Sequence, residues 1–142
     1  MTDPSELVAL LARDGALIPL WLAILWLAVA YIAILGIVVL AKPVRARSFL
    51  SGFAQSIAAN LTEAGLRALA GIAFIGASAE TRSPSVSIAV GLFLVVSALL
   101  MALLPKAHRR LAPRATSKVF AMFPLFGILS LTLALALAWF IA

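Results

Sequence analysis

The chain has 142 residues, of which 65% are hydrophobic and 11% charged. This composition excludes a soluble globular domain, which needs a larger polar surface, and predicts an all-α integral membrane protein with one transmembrane domain, residues 1–142. The net charge of +6 does not indicate nucleic-acid binding, because most basic residues fall in two short segments directly after apolar runs.

The side chains that usually carry catalysis or hold cofactors are scarce. The sequence has no cysteine and one histidine, His108, which excludes disulfides, thiol chemistry and the usual zinc, iron-sulfur and bis-histidine haem sites. It also has no serine nucleophile with a histidine partner in a span, no paired aspartates and no glycine-rich phosphate loop. We therefore expect no enzyme, no metal site and no cofactor.

The first predicted element is a short amphipathic helix over residues 3–14. Asp3, Pro4 and Glu6 form a helix start, and the leucines that follow share one face, so the helix should lie on the membrane surface. A cleavable signal peptide is the competing interpretation of the next apolar run. The basic n-region of a signal peptide is missing and the run is too long for an h-region, so we interpret it as a retained span.

Three spans are predicted directly from hydropathy, over residues 16–41, 84–105 and 119–142, since about 20 apolar residues cross a ~30 Å hydrocarbon core. Trp21 and Trp139 fall near the same membrane interface, as expected of an aromatic belt. In the last span, Pro124 should kink the helix and leave a carbonyl one turn earlier without its partner.

Two basic loops, residues 42–48 and 106–118, follow the first and third predicted spans. The positive-inside rule assigns both to the cytoplasm and both termini to the other side, and it also makes these residues candidate contacts for anionic lipid headgroups. The candidate lipid contacts are Lys42, Arg45, Arg47, Lys106, His108, Arg109, Arg110, Arg114 and Lys118.

A further span, residues 60–79, is inferred from this charge distribution. If both basic loops are cytoplasmic, the chain between them crosses an even number of times, so a crossing must precede residues 84–105. The fold would then be four helices in two hairpins, with an interfacial helix before the second span. The alternative with three spans places one basic loop outside.

The second predicted span carries the main candidate site. Glu63 and Arg67 are four residues apart and share one helix face with Asn60. With a 1.5 Å rise per residue, Arg67 would lie about 12 Å and Glu63 about 6 Å inside the core boundary. Charges at that depth are either functional groups facing a wet interior or a structural ion pair whose arginine extends to the headgroups.

Small residues line two faces of the same span, one with Ala64, Ala68 and Gly71 and the other around Ala73 and Gly76. Such faces allow close backbone approach, so they predict internal packing or contact with a protein partner or second copy.

In size and span count the chain resembles the small multidrug resistance transporters. Those proteins carry an acidic residue in the first span, and residues 16–41 contain none, so no activity or binding residue is transferred. The leading hypothesis is a non-catalytic accessory, assembly or structural subunit of a membrane complex. The alternative is a small transporter or channel subunit that uses Asn60, Glu63 and Arg67. An abundance of alanine, leucine and arginine suggests a bacterial plasma membrane.

Overall fold

The computed structural model describes residues 15, 17–52, 56–107, 110, 118 and 120–142. Helices make up almost all of this part of the chain, and no strand occurs in it. The predicted surface helix at residues 3–14 lies outside the described residues.

Helix α1 covers Ile18–Ala41 and is followed by α2, Pro43–Gly52. The break falls at Lys42, whose φ of −140° and ψ of 65° are not helical. Proline disfavours a helical conformation in the residue before it and fits the first turn of a helix, so Pro43 ends α1 and begins α2. Arg45 and Arg47, which follow the break, therefore lie on a helix rather than on an extended loop.

Helix α3 covers Ile57–Gly76. Its N-cap is Ser56, whose hydroxyl accepts a hydrogen bond from the backbone N–H of Ala59 at 3.0 Å, so the first turn is stabilised before any apolar contact forms. A short 3₁₀ turn, Ser78–Glu80, leads to α4, Pro84–Leu103. Helix α5 covers Phe123–Ile141, with Pro124 in its first turn.

Three of these helices are long and apolar enough to cross a membrane, namely α1, α4 and α5. Helix α3 has the same length as α4, 20 residues, but it carries Glu63 and Arg67 and is not one of the three. The protein is therefore of the helical membrane-spanning class.

The helices form two antiparallel pairs, α3 with α4 and α1 with α5, joined by contacts between α1 and α3. The main core cluster draws on all four long helices. It contains Leu25 and Val29 of α1, Ala73 and Phe74 of α3, Ala77 directly after α3, and Ala134 and Ile141 of α5, with Val90 and Leu94 of α4 against it.

Contacts at the two ends give the direction of each helix. At one end, the start of α1 meets the end of α3, where Trp21 lies against Gly76, and Arg82 before α4 bonds to the end of α5. At the opposite end, α2 meets the start of α5, since Ala46 packs with Phe123. Both basic segments that flank the spans therefore begin at the same end of the bundle.

Candidate functional site

The candidate cluster lies on the face of α3 that meets α4. Glu63 and Arg67 form an ion pair, with Arg67 Nη2 2.7 Å from Glu63 Oε1. A second guanidinium nitrogen, Nη1, donates to the Ser97 hydroxyl of α4 at 3.1 Å. The Glu63 side chain is 21% and the Arg67 side chain 42% exposed, so the pair lies at the edge of the bundle and ties α3 to α4.

The depth of the ion pair along α3 differs from the sequence estimate, because the helix begins and ends three residues earlier than the predicted span. Arg67 is ten residues from Ile57, the start of α3, which is about 15 Å and close to the middle of the helix. A guanidinium at that position is far from both helix ends, and its partners there are Glu63 and Ser97.

Asn60 is fully buried, and its Nδ2 donates to the backbone carbonyl of Met101 on α4 at 3.0 Å. In an α-helix that carbonyl bonds to the N–H four residues later, and here the residue is Pro105, which has none. Asn60 therefore supplies the missing donor. Its Oδ1 has no hydrogen-bond partner among the described residues.

The same relationship recurs where α2 meets α5. Pro124 lies in the first turn of α5 and not, as predicted from the sequence, at a kink within a longer span. It has no N–H to offer the Phe120 carbonyl four residues earlier, and Arg47 Nη2 donates to that carbonyl at 3.3 Å. The Arg47 guanidinium also lies 5.6 Å from the Phe120 ring centroid and 5.3 Å from that of Phe123, within the range of a cation–π contact. Arg47 thus holds the basic helix α2 against the start of α5.

Two further side chains bond to carbonyls at the opposite end of the bundle. The buried Ser87 hydroxyl donates to the Phe74 carbonyl at 2.7 Å. Arg82 Nε donates to the Trp139 carbonyl at 2.6 Å, and its backbone N–H donates to that of Phe140 at 3.1 Å. These acceptors lie in the last turns of α3 and α5, where carbonyls have no partner within the helix.

Tyr31 of α1 is 48% exposed. Neither of two pockets in the described part of the chain is lined by Glu63 or Arg67. An open pocket is lined by Phe49, Gly52, Ala59 and Thr62, and an apolar groove lies between α4 and α5.

Among the predicted lipid contacts, Arg47 is the one with hydrogen-bond and ring contacts to described residues. The others that the structure describes are exposed, namely Lys42, Arg45, Lys106, Arg110 and Lys118. His108, Arg109 and Arg114 lie outside the described residues.

The sequence indicated Asn60, Glu63 and Arg67 but missed their partners on α4. Ser97 gave no signal, because isolated serines are common in membrane helices. The Met101 carbonyl did have a signal in the sequence, because Pro105 lies four residues after it and has no N–H. Pro124 stands in the same relation to Phe120.

No protein-family model, no curated protein and no solved structure matches this chain.

Proposed function

We propose that this chain is a multi-pass protein of the bacterial plasma membrane that crosses the bilayer four times and acts as a non-catalytic accessory, assembly or structural subunit of a membrane complex. The proposal rests on the hydrogen bonds that polar side chains form between helices. Four side chains donate to a backbone carbonyl on a neighbouring helix, namely Arg47, Asn60, Arg82 and Ser87. They hold the bundle together instead of facing a common cavity.

These hydrogen bonds are needed because the bilayer core contains no water, so each backbone group left without a hydrogen bond there is costly. A carbonyl that loses its helical partner to a proline or to a helix end must find another donor within the protein. Of the three candidate residues for transport, Asn60 meets this requirement on α4, and Arg67 bonds to the side chains of Glu63 and Ser97. Such a bundle acts as a scaffold.

The fourth crossing is supported by the course of α3, which runs antiparallel to both α1 and α4 along most of their length. It bonds to α4 near its start through Asn60 and contacts α1 at its end through Gly76. Both basic segments then start on one side of the membrane, which agrees with the positive-inside rule if that side is the cytoplasm.

Single cysteines test this topology, because the natural chain has none. We expect S48C and K106C to react with a membrane-impermeant maleimide from the cytoplasmic side, and S83C to react from the other side. With three spans instead, S48C and K106C would be labelled from opposite sides.

A partner subunit would bind an exposed apolar face, because the small-residue faces of α3 are already occupied within the chain. Ala64 packs with Ala98 and Met101 of α4, and Ala73 packs in the core with Leu25 of α1. Large exposed side chains remain on other faces, with Leu27 70%, Phe93 71% and Leu135 73% exposed.

Photo-crosslinking in intact membranes tests the subunit role. A photoreactive amino acid is placed singly at Leu27, Phe93 and Leu135, with the buried Leu25 as the matched control. We expect a discrete protein adduct from one face and none from Leu25. Lipid adducts alone at all three exposed positions would contradict the proposal.

The alternative, a transporter or channel subunit, is favoured by two observations: Arg67 is 42% exposed, and the buried Asn60 Oδ1 lacks a partner among the described residues. A water-lined path would have to reach both. The variant R67C distinguishes the two functions, with S48C as the positive control. We expect R67C to resist the impermeant maleimide, whereas rapid labelling would support the transporter.

A further inference from the structure

An open apolar groove runs between the start of α4 and the end of α5, at the end of the bundle opposite the basic segments. Its volume is about 300 Å³ and no polar surface lines it, which is at the lower limit of the sizes usual for ligand sites. The lining residues are Phe74, Val86, Val90, Ala136, Leu137, Trp139 and Phe140.

Arg82 lies next to the groove, in contact with its lining residue Trp139. The Arg82 guanidinium lies 4.5 Å from the Trp139 ring centroid, and its Nε donates to the Trp139 carbonyl. These two contacts fix the orientation of an otherwise exposed cation. Within the described residues, neither of its terminal nitrogens forms a hydrogen bond or an ion pair, so both are available to an external acceptor.

We infer that this groove binds a phospholipid of the surrounding bilayer, with an acyl chain between α4 and α5 and the phosphate on the free nitrogens of Arg82. The charge of Arg82 is complementary to a phosphate, and a planar guanidinium can donate two parallel hydrogen bonds to its oxygens. Trp139 is of the residue type that prefers the membrane interface, which is the depth of a lipid phosphate.

The inference is independent of the subunit role, because it requires only that α4 and α5 lie in a bilayer. It also differs from the predicted lipid contacts, which are dispersed basic residues at the other end of the bundle. The Arg82 site is built from one oriented cation and an adjacent open apolar groove.

The test is native mass spectrometry of the full chain, released from detergent and titrated with phosphatidylglycerol. Diacylglycerol with the same acyl chains serves as the probe without phosphate. We expect one phosphatidylglycerol to bind with affinity about tenfold or more above that of diacylglycerol, the difference that one charge-assisted hydrogen bond makes.

Matched variants separate the groove from general lipid binding. A136F fills the groove and should weaken phosphatidylglycerol binding about tenfold, equivalent to about 1.4 kcal/mol. L135F adds the same ring on a neighbouring residue that does not line the groove, and it should bind as the natural chain does. R82Q should abolish the preference for phosphatidylglycerol over diacylglycerol.

Equal affinities for the two lipids, or equal effects of A136F and L135F, would overturn the inference. So would a dimer that A136F dissociates, since the groove would then hold a second copy. The comparison of the two lipids on the natural chain and the comparison of A136F with L135F both keep Arg82. They therefore remain informative if R82Q does not fold.

Discussion

Asn60 of α3 donates a hydrogen bond to the Met101 carbonyl of α4, the acceptor that Pro105 leaves without its helical donor. The amide is fully buried, and the N···O distance is 3.0 Å. Asn60 lowers the mean hydropathy of α3, yet its side chain provides the hydrogen-bond donor that a backbone carbonyl of α4 lacks. Arg47 and the Phe120 carbonyl repeat the relationship next to Pro124.

The first prediction concerns this bond. N60L should lower the free energy of unfolding by about 1–3 kcal/mol, because the Met101 carbonyl stays buried without a donor. In a P105A background the helix regains an N–H at residue 105, and the cost of N60L should fall to less than half. The free energy of unfolding in mixed micelles with sodium dodecyl sulfate is measured for the natural chain, for each single variant and for the double variant, which together form a double-mutant cycle. The same loss in both backgrounds would show that Asn60 does not compensate for the proline.

The second prediction concerns the contact between Arg67 and Ser97. S97A should destabilise the protein by about 0.6 kcal/mol, the average for a hydrogen bond between membrane helices. T62A is the matched control, because the Thr62 hydroxyl bonds to the Ala58 carbonyl of its own helix at 2.9 Å. Thermal unfolding in detergent measures both variants. Equal effects of S97A and T62A would contradict a role for Arg67 in joining α3 to α4.

The third prediction concerns the close approach of α3 and α4. A Cβ on Gly71 would lie 2.7 Å from the Gly91 carbonyl oxygen, and a Cβ on Gly91 would lie 2.6 Å from the Gly71 carbonyl oxygen. Both distances are too short for non-bonded atoms, and the obstacle is backbone. G71A and G91A should each cost about 1–3 kcal/mol of stability through overpacking.

Gly65 provides the control on the same helix, since a Cβ there would meet nothing within 4 Å. G65A should leave stability unchanged or raise it slightly, because alanine favours a helix by up to about 1 kcal/mol over glycine. If G71A unfolds at the same denaturant concentration as G65A, the two helices are not as close as the structure has them.

The fourth prediction concerns Arg47. R47A should lower the unfolding temperature in detergent by several degrees, because it removes the cation–π contacts and leaves the Phe120 carbonyl without a donor. R45A removes an equal charge from the same helix, and Arg45 is exposed without such contacts among the described residues. We expect no change for R45A. Equal shifts would mean that net charge, rather than the contact with α5, sets the stability.

Hydropathy alone was sufficient to predict the helical membrane class, because 18 or more consecutive apolar residues leave a chain few other options. The observed helices Ile18–Ala41, Pro84–Leu103 and Phe123–Ile141 fall within three predicted spans. The pairing of Glu63 with Arg67 also followed from the sequence, because residues four apart on a helix are neighbours.

The tertiary structure decided which helices pack together and which partners the polar side chains have. Ser97 and Met101 lie on α4 and the side chains that bond to them lie on α3. The groove beside Trp139 lies between α4 and α5. Each of these contacts therefore depends on how closely two helices approach. Within one helix, spacing fixes which side chains meet. Between helices in a bilayer, apolar side chains give little directional preference, so the contacts of small residues and of backbone carbonyls without helical partners determine the arrangement.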